Sequence, residues 1–298
     1  LAQLAAEAGI TRGVIQVLGG DGPTTGQAMG LHPDIDMVSF TGSTETGKRF
    51  LGYAAQSNMK QVTLECGGKN PAIILDDAEN IEAIASHVAN GAFCFFFQNC
   101  SATSRLIIHK DIKEAVLEKL THHVKEWRQG DPLDPTNRLG VLIDQEHAGK
   151  VQTYLDRAEK DGVAVISKSA YDGIGPVIFD VTDNTHPLAH EEIFGPVLSV
   201  ITVSSFDEAI TIANQSAYGL AASVFTSNIK RALRAGKALK AGTVTVNSYG
   251  EGDATTPFGG YKQSGFGGRD NGLASHDQFT EIKTLWVDLS DDSTDDIA

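Results

Sequence analysis

The chain has 298 residues, enough to bury a large core and to form more than one domain. Hydrophobic residues make up 41% and glycines number 31, the composition of a turn-rich globular α/β chain. The formal net charge of -14 excludes a nucleic-acid partner, three cysteines form no disulfide framework and point to a reducing cytoplasm, and no apolar run is long enough to enter a membrane as a spanning helix.

Leu1 to Gly9 reads as an amphipathic helix closed by a C-cap glycine. Gly13 to Leu18 is a predicted strand, and Gly19-Gly20-Asp21-Gly22-Pro23 the turn after it. Met37-Val38-Ser39-Phe40 is a second strand. It runs through Gly42-Ser43 into a helix ending near Ala55, with Ser43 as N-cap. Val62-Thr63-Leu64 is a third strand, ending at Glu65. Strand–turn–helix alternation of this kind predicts parallel sheet.

A second unit starts near Pro71, with Ala72 to Leu75 as a strand and a helix after Asn80 carrying Ile81, Ile84, Ala85, Val88 and Ala92 at helical spacing. Asp111 and Glu114 predict a capping box for a helix that buries Ile112, Val116, Leu120, Val124 and Trp127. Strands then follow near Val197–Val203 and Ala221–Phe225, and helices at Asp207–Asn214 and Ile229–Leu239. Thr284-Leu285-Trp286-Val287 is the last strand. Beyond it Asp288, Asp291, Asp292, Asp295 and Asp296 make an acidic, frayed end.

Two short blocks carry chemistry. Leu64-Glu65-Cys66-Gly67-Gly68-Lys69-Asn70-Pro71 offers a carboxylate beside a glycine pair, and Gln98-Asn99-Cys100-Ser101 offers a thiol. Covalent catalysis at a carbonyl needs a nucleophile to form the adduct and a base to activate the water that releases it. Taken singly, Cys100 is a small buried hydrophobe and Glu65 an exposed strand-end carboxylate. Cys94 and Cys66 keep that plain reading as thiols. A different class is visible in Gly42-Ser43-Thr44-Glu45-Thr46-Gly47-Lys48-Arg49, which follows a strand and nearly matches a nucleotide-triphosphate loop; Arg49 stands where that loop needs a hydroxyl. The nine histidines form no ligand pattern, since His122 and His123 are adjacent, and no metal is expected.

The glutamate and cysteine blocks resemble those of the NAD(P)-dependent aldehyde dehydrogenase superfamily. Further landmarks follow in that family's order: Glu191-Glu192-Ile193-Phe194-Gly195-Pro196-Val197, Tyr218 to Ala222, Ala241-Gly242-Thr243-Val244, and Pro257 to Gly265. The resemblance implies an α/β fold with a partial Rossmann-like cofactor domain over residues 1–66, a parallel α/β catalytic domain over 67–268 and a return segment over 269–298. It implies a homo-oligomer in the full-length form, assembled through strand Thr284–Val287. It also implies that Cys100 forms a thiohemiacetal and then a thioester, that Glu65 activates the hydrolytic water, and that NAD or NADP takes up the hydride. Gly22, Gly42, Ser43, Cys66, Glu192 and Phe194 become the cofactor contacts. The family's pattern further implies a preceding part, absent here, that brings an oxyanion-stabilising asparagine and the contacts to the adenosine ribose.

The chain departs from the pattern at the nucleophile. Phe95-Phe96-Phe97 replaces an Asn-x-Gly, with Phe97 at the glycine, and Thr103 replaces a second glycine. If the glycine position has positive φ, Phe97 strains the loop and turns Cys100 out of line, which opens a second reading, a non-catalytic remnant of the family. For the substrate, Glu251 and Asp253 fall where relatives line the aldehyde tunnel. Two carboxylates there favour an amino-bearing aldehyde by charge-assisted hydrogen bonds; an exposed acidic loop is the alternative. Gly265 to Asn271 most resembles the branch that oxidises γ-glutamylamino-butyraldehyde and related aminoaldehydes.

Overall fold

The computed structural model describes residues 2–127, 130–131, 133–169 and 173–289. Leu1 and the acidic-end residues Asp291, Asp292, Asp295 and Asp296 lie outside them.

The chain begins with α1 (Ala2–Glu7), a single-turn coil at Gly22–Gly26 and α2 (Gln27–Leu31). β1 (Met37–Thr41), α3 (Thr44–Gln56) and β2 (Gln61–Glu65) follow, with β1 and β2 parallel in the register Thr41↔Glu65. The strand predicted at Gly13–Leu18 is not formed, and Val14, Val17 and Leu18 are exposed. A parallel strand draws its hydrogen bonds from neighbouring strands, and this segment pairs with none.

The main sheet has seven strands. β3 (Asn70–Ile74) is followed by α4 (Ile81–Phe93), a 3₁₀ turn at Cys94–Phe97, β4 (Thr103–His109), α5 (Lys113–Glu126) and α6 (Gln145–Lys160). Then come β5 (Ala164–Lys168), β6 (Val177–Asp180), α7 (Pro187–His190), β7 (Val197–Val203), α8 (Phe206–Asn214), β8 (Tyr218–Gly219), β9 (Ala221–Phe225), α9 (Ile229–Ala238) and β10 (Thr243–Val246). The order is β10-β9-β3-β4-β7-β6-β5, parallel throughout except for β5 against β6.

Alternation along the strands divides the core between the two faces. Ala72, Ile74, Leu106, Ile108, Leu198 and Val200 turn toward α4 and α5. Ile73, Ile107, Val197, Ile201 and Val224 turn toward α6, α8 and α9. The expected capping box is not made: α5 starts at Lys113 with Ile112 at its cap and no side-chain bond there, so Asp111 lies outside the helix. Val116, Leu120, Val124 and Trp127 are buried as their spacing requires, and Ile112 packs at the margin.

β11 (Tyr261–Lys262) pairs with β8, and β12 (Gly265–Phe266) runs antiparallel to β2 with Gly265 opposite Glu65. β12 lies inside the span 67–268, yet it completes the small sheet β1-β2-β12. α10 (Ala274–Asp277) follows. The strand expected at Thr284–Val287 is not formed, and Leu285 is 83% and Trp286 89% exposed. Its apolar residues meet no partner strand. Among the described residues no helix is long and apolar enough to cross a membrane.

Candidate active site

The Glu65 and Cys100 blocks meet between the two sheets. Glu65 ends β2, and Asn70 opens β3 only five residues later. Cys100 lies in the loop between the 3₁₀ turn and β4, where Thr103 is paired with Asn70. Cys100 therefore precedes its strand, at the amino ends of β3 and β4, whereas Glu65 stands at the carboxyl end of β2.

Asn70 ties the loop down. Its Nδ2 donates to the Cys100 carbonyl at 2.8 Å and to the Ala102 carbonyl at 2.9 Å, while its Oδ1 accepts from the Ala221 amide at 3.0 Å. Gly68 must be bare for this: a Cβ there would lie 2.5 Å from Asn70 Oδ1 and 2.8 Å from the Cys100 carbonyl oxygen. Asn70 sits in the glutamate block, but a one-dimensional pattern cannot reveal that it binds the cysteine block.

Burial pushes the Cys100 thiol up to about 11, with the carboxylates of Glu251, Glu65 and Glu192 adding to the shift. The Glu65 carboxyl is pushed up to about 7, first by burial and then by Asp270, while Arg269 and the Gly260 amide oppose the rise. Its Oε2 is buried without a hydrogen-bond partner. Asp270 is fixed by paired backbone bonds with Phe258, each 2.7 Å. Arg269 and Asp270 belong to the Gly265–Asn271 motif, and β12 folding back on β2 brings them toward Glu65.

The loop pays for its shape at Phe97, whose φ is +64° and whose side chain is 4% exposed. The glycine position does require the left-handed region that glycine favours. Thr103 brings no such strain: it lies in β4 with ordinary strand geometry and is buried.

Glu251 reaches the nucleophile loop. Its Oε1 accepts a short hydrogen bond from the Ser101 hydroxyl and a 3.4 Å bond from Asn99 Nδ2, which also donates to the Tyr249 hydroxyl. Asp253 does not join it. Its carboxylate is exposed and accepts from the Thr255 amide at 2.8 Å and the Thr255 hydroxyl at 2.6 Å, closing a local turn.

The six expected cofactor contacts divide into two groups. Ser43 caps α3 by accepting from the Thr46 amide at 3.2 Å, which leaves the first-turn amides directed outward. A cleft of about 380 Å³ separates α3 from the Gly22–Gly26 coil, lined by Gly22, Pro23, Thr46 and Arg49 over a floor of Phe40, Phe50 and Tyr53. Gly42 is held by its amide to the Glu65 carbonyl at 3.0 Å. Cys66 is buried beneath α3, where a Cβ on Gly47 would approach its sulfur to 3.1 Å. Burial pushes the Cys66 thiol up. On the other side Glu192 Oε1 accepts from the Gly68 amide at 3.1 Å, and burial pushes its carboxyl up. Phe194 has φ +59°, and its carbonyl is bonded to His147 Nε2 at 2.7 Å. An aromatic floor beside the amino end of α3 has the chemistry a dinucleotide would need, and of the six expected contacts Gly22 lines this cleft. The triphosphate-loop alternative fails on geometry. The helix already starts at Thr44, so Gly47 and Lys48 are helical and no phosphate-wrapping loop exists.

The aldehyde dehydrogenase family profile matches residues 1–285. The chain belongs to the aldehyde dehydrogenase family. Aminoacetaldehyde dehydrogenase of Pseudomonas aeruginosa is 52% identical over 293 residues, covering 97% of this chain and 59% of that protein. The NADP/NAD-dependent aldehyde dehydrogenase PuuC of Escherichia coli is 44% identical over 292 residues, with coverages of 97% and 59%. Among solved structures, the aldehyde dehydrogenase KauB from Pseudomonas aeruginosa superposes with TM-score 0.92 at 44% identity, over 96% of this chain and 59% of that one. An indole-3-acetaldehyde dehydrogenase in complex with NAD+ gives 0.93, also at 44% identity, over 97% and 59%. This chain thus spans about 59% of the length of the aldehyde dehydrogenases it matches. Among the described residues no group of three or more His, Cys, Asp and Glu is arranged to hold a metal.

Proposed function

We propose that the protein oxidises an amino-bearing aldehyde to its carboxylic acid with NAD or NADP, using Cys100 as nucleophile and Glu65 as general base. The observation that carries this reading is the joining of the two blocks: Asn70, five residues beyond Glu65, holds the Cys100 and Ala102 carbonyls at 2.8 and 2.9 Å. The Cys100 sulfur adds to the aldehyde carbon and its proton ends on the new hydroxyl, giving a thiohemiacetal. Gly22, Gly42, Ser43, Cys66, Glu192 and Phe194 would hold NAD or NADP, which would supply the hydride acceptor; the adduct becomes a thioester as its carbon gives up the hydride and its hydroxyl proton leaves to solvent. Glu65 then removes a proton from water as the water attacks the thioester carbon; the carbon–sulfur bond breaks and the thiol and a carboxylate are released. A carboxyl held near 7 is matched to that task at neutral pH.

Glu251 gives the amino preference, because its Oε1 bonds the residues flanking Cys100 while its Oε2 accepts no hydrogen bond among the described residues and can meet an ammonium group. The P. aeruginosa relative named for aminoacetaldehyde supports that substrate class. The exposed Leu285 and Trp286 support assembly of the full-length protein through this segment.

Stopped-flow formation of reduced nicotinamide tests the chemistry. With aminoaldehyde, Glu65→Gln should give one burst per site and then stall, while Cys100→Ser gives none. Steady turnover by the Cys100→Ser protein would sink the mechanism. Loss of amino-over-alkyl preference in Glu251→Gln tests the substrate class. The positive φ at Phe97 favours a second reading, a relative that binds the dinucleotide without catalysis; it predicts dinucleotide binding with no burst from the unaltered chain.

A further inference from the structure

Glu251 is pinned to both residues that flank the nucleophile, taking hydrogen bonds from the Ser101 hydroxyl on one side and from Asn99 on the other. Cys100 Sγ in turn faces Asn99 Oδ1 at 3.7 Å. The charged groups acting on Cys100 come from three elements: Glu251 from the loop after β10, Glu65 from β2 and Glu192 from the turn after α7. All are acidic. Among the described residues Arg269 acts on Glu65, and Lys150 and Lys69 act on Glu192, while Glu251 makes no ion pair with a lysine or arginine. Glu251 is only half-buried, so a ligand can reach it. Of the three carboxylates, Glu65 and Glu192 thus have cationic neighbours, and the open place for a cation lies at Glu251.

We propose that the cationic end of the substrate activates the enzyme: seated against Glu251, it offsets the charge beside Cys100 and converts the thiol to thiolate, the proton leaving to solvent. The proposal rests on the aminoaldehyde reading and adds a consequence to it. A neutral aldehyde would meet an unreactive thiol, whereas an amino-bearing one would generate its own nucleophile. Selectivity would then appear in the rate of adduct formation and not only in affinity.

The test uses a cation with no aldehyde. Propylguanidinium keeps its charge across the titration, and propylurea is its neutral counterpart. Initial rates of Cys100 alkylation by iodoacetamide are followed by peptide mass spectrometry between pH 7 and 9. With propylguanidinium alkylation at pH 8 should quicken about tenfold. Propylurea should not quicken it, and Glu251→Gln should start from the faster rate and ignore the cation. Alkylation slowed by propylguanidinium but not by propylurea would mean that the cation binds without activating; this proposal then falls while the aminoaldehyde reading stands. No change with either ligand would mean that no cation enters, which overturns both. Should Glu251→Gln fail to fold, the comparison of the two ligands on the unaltered chain still decides.

Discussion

Replacing Asn70 by alanine should both destabilise the fold and loosen the nucleophile. The side chain is 3% exposed and makes three hydrogen bonds of 2.8 to 3.0 Å to backbone groups of two segments, the Cys100 loop and β9. Alanine leaves the Cys100 and Ala102 carbonyls and the Ala221 amide without partners. A buried orphaned group costs on the order of 1–3 kcal/mol. The Cys100 carbonyl is only partly buried and can rehydrate, so two full penalties and one reduced one give about 3 kcal/mol. At roughly 2 °C per kcal/mol for a chain of this size, the melting point should drop about 6 °C. Urea unfolding gives the free energy directly, and Asn70→Asp, which keeps the acceptor for Ala221 but loses both donors, should also be destabilised. Cys100 alkylation should lose its sharp pH dependence in both variants as the loop departs from Glu65 and Glu251. A loss below about 1 kcal/mol in Asn70→Ala would refute the clamp.

Three further outcomes follow from the same geometry. Glu65 holds its proton up to about 7 in the fold against 4.5 when unperturbed, so the folded state binds the extra proton between these values. Stability from this group is therefore greatest at the acid end and is lost as pH rises through that window, whereas base-dependent turnover rises with pH toward about 7. Asp270→Asn removes a charge that raises Glu65 and should move the rise in turnover to lower pH; an unmoved profile would show that Asp270 does not tune the base. At Phe97, glycine and alanine both forfeit the buried ring, but only glycine accepts φ +64° without strain. Phe97→Gly should thus be more stable than Phe97→Ala by about 1 kcal/mol in urea unfolding, and equal stability would remove the strain assigned to this loop.

Periodicity and caps made most of the fold legible. The alternation in Ala72–Leu75 and Val197–Val203 matched the two-faced core of the seven-stranded sheet, and Ser43 caps α3 as its position before the helix required. These features depend on neighbours in sequence, where side-chain type and spacing set the local backbone. The segments Gly13–Leu18 and Thr284–Val287 have strand composition as well, yet stay unpaired, because a strand is completed by partners that its own residues do not specify.

The site was legible as blocks and not as an arrangement. Resemblance to the family's motifs, taken in order, singled out Glu65, Cys100, Glu192 and Glu251 as candidates and marked Phe97 as standing at the family's glycine. Which of them touch was decided by tertiary structure. Glu251 reaches Ser101 across 150 positions of chain, while Asp253, two residues further, turns back on Thr255. Asn70 became the tie between β3, β9 and the nucleophile loop, and β12 carried Asp270 to Glu65 from the far end of the chain. Sequence alone fixes the chemical groups; their protonation and direction depend on burial and on charges brought close by folding, and neither quantity exists along an extended chain.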